Sequence, residues 1–234
     1  FKSGINICIG EGLVFSNGFE CEITSKIPIQ AGVGSSSAVM VNWIHFLSQM
    51  ADTPVIWNEQ KIGELAYKAE VLEFNEPGGM MDQYTASIGH MLYLVSEPTI
   101  SIKSLKPSLG SFVLGDSCEP KDTMRILQRC RDAQVKIIQK LKKKTPNFNI
   151  HTSEDVDLSL LNEEEKNIFR GTIKNRNILR KVLPELNREA PEPALIGARL
   201  IEHHAVLRDV LKISTPKIEA MLDASLDAGA LGGK

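Results

Sequence analysis

Apolar and polar residues alternate across residues 19–27 (FECEITSKI), a period of two that predicts a half-buried β-strand ending at Pro28. The period then lengthens. Across residues 35–50 the apolar positions Val39, Val41, Trp43, Ile44, Phe46 and Leu47 recur at helical spacing, and Asp52-Thr53-Pro54 stops the run. A second helix is predicted over 58–73, carried by Ile62, Leu65, Ala66, Ala69 and Leu72. Residues 75–79 (NEPGG) read as a loop, and Asp82 opens another helix. Strand-like runs follow at 90–95, 99–105 and 111–117. After Pro120 the pattern predicts a basic amphipathic helix over 121–144, a polar loop over 145–160, and helices near 162–182, 193–212 and 215–228. The chain reads as α+β, with strands and helices mixed up to about residue 110 and mainly helices beyond.

Composition narrows the classes. The 234 residues are 42% hydrophobic and 24% charged, with a formal net charge of −2, ordinary for a globular chain. So small a charge gives no electrostatic reason to expect nucleic acid or an anionic membrane as partner. No apolar run approaches the ~20 residues of a membrane span. Cys8, Cys21, Cys118 and Cys130 form no CxxC pair and read as reduced thiols of a cytoplasmic protein, with Cys118 a buried one. The lysines at 142–144 read as a solvated helix end favoured by the helix dipole. Trp43 and Trp57 read as structural, Tyr84 as either core or substrate-lining, and His203–His204 as one packed and one solvated ring.

The candidate chemistry begins at residues 27–41 (IPIQAGVGSSSAVMV), where glycines and three serines stand at the mouth of the 35–50 helix. A helix N-terminus exposes unpaired N–H groups with partial positive charge, and glycine lets a backbone approach a phosphate closely. Two accounts fit: a serine N-cap after a flexible turn, or a phosphate cradle over Gly32, Val33, Gly34, Ser35, Ser36 and Ser37. In the second account a serine hydroxyl also reaches a Mg²⁺ carried by the nucleotide. The chain has no GxxxxGK[ST] and no GxGxxG after a strand, so the cradle belongs to neither common nucleotide-binding class. Downstream, Asp82 follows a Gly-Gly-Met-Met loop and serves either as a helix cap or as acceptor of a substrate hydroxyl proton. Glu70 is either a solvated helix-face residue or an oxygen donor to the metal.

Taken together, these stretches resemble the GHMP kinases, the small-molecule kinase superfamily that includes galactokinase, homoserine kinase and mevalonate kinase. Pro28, Gly32, Val33, Gly34, Ser35 and Ser36 match the family's second motif, P-x-x-x-G-[LV]-G-S-S-A. Ala69-Glu70, Pro77 and Gly79-Met80-Met81-Asp82-Gln83 resemble the galactokinase branch, as does the segment 203–233. The resemblance implies a two-domain α+β fold: a ribosomal protein S5 domain 2-like N-terminal domain, its latter part at 1–110, and a ferredoxin-like α+β C-terminal domain at 111–234. It implies an ATP-dependent sugar kinase with Mg²⁺, in which Gly32–Ser37 hold the nucleotide, Ser36 and Glu70 reach the metal, and Asp82 is the catalytic base. A catalytically silent sugar and ATP sensor is the alternative from another class, and the Met-Met-Asp-Gln context disfavours a mevalonate-kinase-like enzyme. The family's first motif and its third, Gly-rich one are expected upstream of Phe1 and beyond Lys234. The chain therefore reads as a piece of a longer kinase, with turnover expected only when both ends are present.

Overall fold

In a computed structural model, residues 1–29, 31–119 and 123–234 are described, and the chain divides into two compact units. Phe1–Leu105 with Cys118–Met124 form the first; Lys106–Ser117 with Arg125–Lys234 form the second.

Four α-helices and a hairpin build the first unit: α1 (Lys2–Gly10), α2 (Ser35–Met50), α3 (Glu59–Tyr67), α4 (Met81–Ile88), β1 (Met91–Val95) and β2 (Ser101–Leu105). Its core gathers Cys8 of α1, Val41, Trp43, Ile44 and Leu47 of α2, and Ile62, Leu65 and Ala66 of α3. Alternate turns of α2 and α3 supply these residues, as their helical spacing requires. Asn58 caps α3, its side chain accepting from the Lys61 amide at 2.8 Å. The helix does not run unchanged to residue 73: Lys68–Leu72 adopt a π-helical turn, a local widening frequent at functional sites. The hairpin is antiparallel, pairing Met91 with Leu105 and Val95 with Ser101.

Two expected strands are absent from the described residues, and one helix was not expected. Helix α1 has no counterpart in the periodicity reading, because nine residues with glycines at both ends of its apolar stripe give too short a signal. One contact shows how closely it packs. A Cβ on Gly4 would lie 2.6 Å from Trp43 Cδ1, so only glycine lets the helix approach the indole. Residues 19–27 are not in a strand, and Ile23 and Ile27 are 48% and 39% exposed. The run 111–117 likewise lies outside the described sheet, with Phe112, Val113 and Leu114 exposed. In neither does the sequence pattern produce a buried face: residues 20–27 and 111–116 are exposed throughout. A strand also needs a neighbouring strand for its N–H and C=O groups, and among the described residues no strand pairs with either run.

The second unit is helical: α5 (Thr123–Lys144) from Arg125 on, α6 (Glu163–Leu186), α7 (Pro193–Asp209) and α8 (Pro216–Asp227). The expected start of α5 at 121 lies outside the described residues. Ile137, Leu141, Phe148, Leu161 and Phe169 form a separate core. A capping box starts α6, Asn162 and Glu165 exchanging backbone and side-chain bonds. Glu165 also accepts from Lys140 Nζ with both oxygens at 2.7 Å, tying α6 to α5. Lysines 142–144 end α5 in solvent, as the dipole reading expects. A Cβ on Gly171 of α6 would stand 2.8 Å from Val210 Cγ1, which marks the close approach of α6 to the end of α7. His204 is the packed ring, 4% exposed and 2.8 Å from Glu219 Oε1, but His203 is half-buried rather than solvated. Cys118 is exposed, with φ at +53°, so it is not the buried thiol expected; Cys8 is.

Candidate active site

The serines do not cap α2. Its N-cap is Gly34, left-handed at φ +69°, and no side chain caps the helix. Gly32, at φ +74°, makes the preceding bend. Both conformations suit glycine because a Cβ would crowd the following carbonyl. Ser35, Ser36 and Ser37 therefore occupy the first turn, and the first intrahelical bond is Ala38 N–H to Gly34 C=O at 2.9 Å. The amides of residues 34–37 precede that bond, so helix geometry gives them no partner. Ser36 is exposed, while Ser35 and Val33 are half-buried. Ser37 is 3% exposed, its hydroxyl turned inward.

Asp82 stands opposite. It is the second residue of α4, exposed, and does not cap that helix, whose N-cap is Met80. A Cβ placed on Gly34 would lie 4.0 Å from Asp82 Cβ, so the carboxylate borders the glycine loop. Tyr84 faces the other way, 1% exposed, and burial raises its hydroxyl pKa. It belongs to the core, not to a substrate-facing wall.

Glu70 joins the same place through a residue that the sequence reading left without a role. Gln83, 3% exposed, donates from Nε2 to Glu70 Oε2 at 2.6 Å and to Ser37 Oγ at 3.2 Å. Its Oε1 is buried with no hydrogen-bond partner. The signal was present in the sequence, since Gln83 completes the Met-Asp-Gln run. On the far face of α3, Lys61 and Lys68 bridge Glu11 and Glu64, at 2.8 and 2.6 Å in the shorter contacts. The Lys61 ammonium beside Glu11 lowers that carboxyl's pKa, and Glu64 raises that of Lys68.

A groove of about 490 Å³ runs along α2 beyond the serines. Ile23, Lys26 and Ile27 line one side and Ala38, Asn42 and Phe46 the other.

The donor set suits a hard cation delivered with a polyanion. Ser36 offers an exposed hydroxyl and Glu70 a half-exposed carboxylate, and the uncapped amides attract phosphate. Among the described residues no group of three or more His, Cys, Asp or Glu could hold a metal. None of their helices is long and apolar enough to cross a membrane.

Residues 5–90 match the GHMP kinases N terminal domain family. The chain is 25% identical over 217 residues to a mevalonate kinase of Pyrococcus abyssi, covering 93% of this chain and 56% of that protein. A mevalonate kinase of Thermococcus gammatolerans is 26% identical over 217 residues, again 93% and 56%. A galactokinase of Streptomyces coelicolor is 24% identical over 243 residues, covering 100% of this chain and 62% of the relative. The chain thus spans little more than half the length of these relatives.

Proposed function

We propose, from the premise that residues 5–90 are a GHMP kinase N-terminal domain, that the protein transfers the γ-phosphate of ATP to a hydroxyl of a small molecule, a sugar in the first instance. One observation carries the reading: an uncapped helix N-terminus, a left-handed glycine bend and a carboxylate meet at Gly34 and Asp82. The amides of residues 34–37 hold the triphosphate, and the groove along α2 receives the base. Mg²⁺, reached by Ser36 and Glu70, offsets charge on the β- and γ-phosphates when bound. Asp82 orients the acceptor hydroxyl and takes its proton. The acceptor oxygen then bonds to the γ-phosphorus as the bond from that phosphorus to the β–γ bridging oxygen breaks, releasing ADP. Little covalent chemistry falls to the protein; positioning and charge supply the rate. On this reading residues 1–110 are the latter part of an N-terminal domain and 111–234 part of a C-terminal one.

Two features divide the acceptor question. The Met80-Met81-Asp82-Gln83 run favours a sugar, whereas mevalonate kinases match the chain at the same level of identity as galactokinases. ADP release from the intact protein, assayed against a sugar panel and mevalonate, decides between them. Turnover on a sugar supports the first reading, and turnover on mevalonate alone replaces it. ATP binding without turnover on any acceptor identifies a silent sensor.

A further inference from the structure

We infer that Gln83 is a positioning residue that fixes Glu70 and the first turn of α2 in one register, so that the metal side and the phosphate side of the site form together. The inference rests on the assignment of Glu70 to Mg²⁺ made above. Gln83 is the only described side chain that an observed hydrogen bond joins to both elements, Ser37 in α2 and Glu70 in the π-helical turn. It also follows Asp82 directly, so the same residue sets the start of α4 against both.

The orientation of its amide is informative. An ionised carboxylate accepts only, so the NH₂ group must face Glu70, and one nitrogen serves Glu70 and Ser37 with its two hydrogens. That choice strands Oε1, which is buried without a partner. A native structure seldom leaves a buried acceptor unpaired without a compensating gain. Here the gain is a carboxylate held in place without being neutralised. A lysine or arginine in this position would also hold Glu70, yet its charge would compete with the cation. A neutral amide orients Glu70 and leaves its charge for the metal. The π-helical turn contributes in the same direction, because the widened turn sets Glu70 at a different angle from the α3 face before it.

The test titrates Mg²⁺ into the intact protein saturated with ATP, by calorimetry, for wild type, Gln83→Met, Glu70→Ala and the double variant. Methionine keeps the length of glutamine and cannot donate. The expected result is Mg²⁺ affinity about 10- to 100-fold weaker in Gln83→Met, the range seen when a metal ligand loses its supporting partner. ATP affinity without Mg²⁺ should stay close to wild type, and the methionine effect should vanish in the Glu70→Ala background. Wild-type Mg²⁺ affinity in Gln83→Met, or an equal loss in both backgrounds, overturns the inference. Should Gln83→Met fail to fold, Gln83→Asn keeps the amide, is too short to span both partners, and is read by the same criteria. Absence of Mg²⁺-dependent ATP binding in the wild-type protein would instead refute the kinase reading, and this inference with it.

Discussion

Asp82 and Gly34 are neighbours across the site, yet substitution should affect them through different quantities. Asp82→Asn preserves shape and removes the proposed proton acceptor. The expected outcome is a fall in kcat of about 10²- to 10⁴-fold, the usual contribution of a general base, with ATP affinity little changed. A steady-state assay beside an equilibrium binding measurement checks it, and a kcat within a few-fold of wild type would remove Asp82 from the mechanism. Gly34→Ala acts through the backbone. At φ +69° an alanine pays about 1–2 kcal/mol for the left-handed conformation, and its Cβ enters the space beside Asp82. Lower thermal stability and weaker ATP binding should appear together. A stable variant with reduced affinity would show that the space beside Asp82 matters more than the bend.

The elements differ in how plainly the chain announced them. Helix α2 occupies Ser35–Met50 as its spacing predicts, and α4, both hairpin strands and the four helices of the second unit lie within a few residues of expectation. Each of these is decided locally, by period and by caps. What was illegible depends on partners. The alternation at 19–27 and the apolar run at 111–117 could not reveal whether another strand lies alongside. The π-helical turn at Lys68–Leu72 carries no periodicity that separates it from the α-helix before it. The candidate residues stood out as two motifs, while the hydrogen bonds of Gln83 needed coordinates to show which two oxygens they reach. Helix α1 supplies a prediction at this scale. Gly4→Ala drives a methyl into the Trp43 indole and should cost about 1–3 kcal/mol, read by chemical denaturation with the change in tryptophan emission as reporter. Between α7 and α8 the test is pH. The Ser214 hydroxyl, then His204 and Arg208, lower the Glu219 carboxyl from 4.5 to about 2. A carboxyl whose folded pKa is depressed stabilises the fold above its unfolded pKa and loses that contribution as pH falls toward the folded value. Denaturation midpoints should therefore drop between about pH 4.5 and 2 more steeply in wild type than in Glu219→Gln. Equal slopes would mean that the cluster is not formed in solution.

At the scale of the whole molecule, each unit carries its own apolar core, centred on Ile44, Leu47 and Leu65 in one and on Ile137, Leu141 and Phe169 in the other. Leu65 is fully buried, and Leu65→Ala should cost about 2–5 kcal/mol through the cavity it leaves. Hydrogen exchange should then show protection lost chiefly in α1, α2 and α3, with the amides of α6 largely spared. Uniform loss across both units would show that they unfold as one. The route of the chain has a consequence for anyone dividing the gene. It leaves the first unit after Leu105, gives Lys106–Ser117 to the second, returns for Cys118–Met124, and departs again at Arg125. A break at 105 deprives the first unit of its return segment, and a break at 124 strips the second of residues 106–117. No single split point yields two intact halves. Fragment complementation from either break therefore requires a short segment to dock in trans, and chimaeras with one of the relatives need two junctions where one would seem enough.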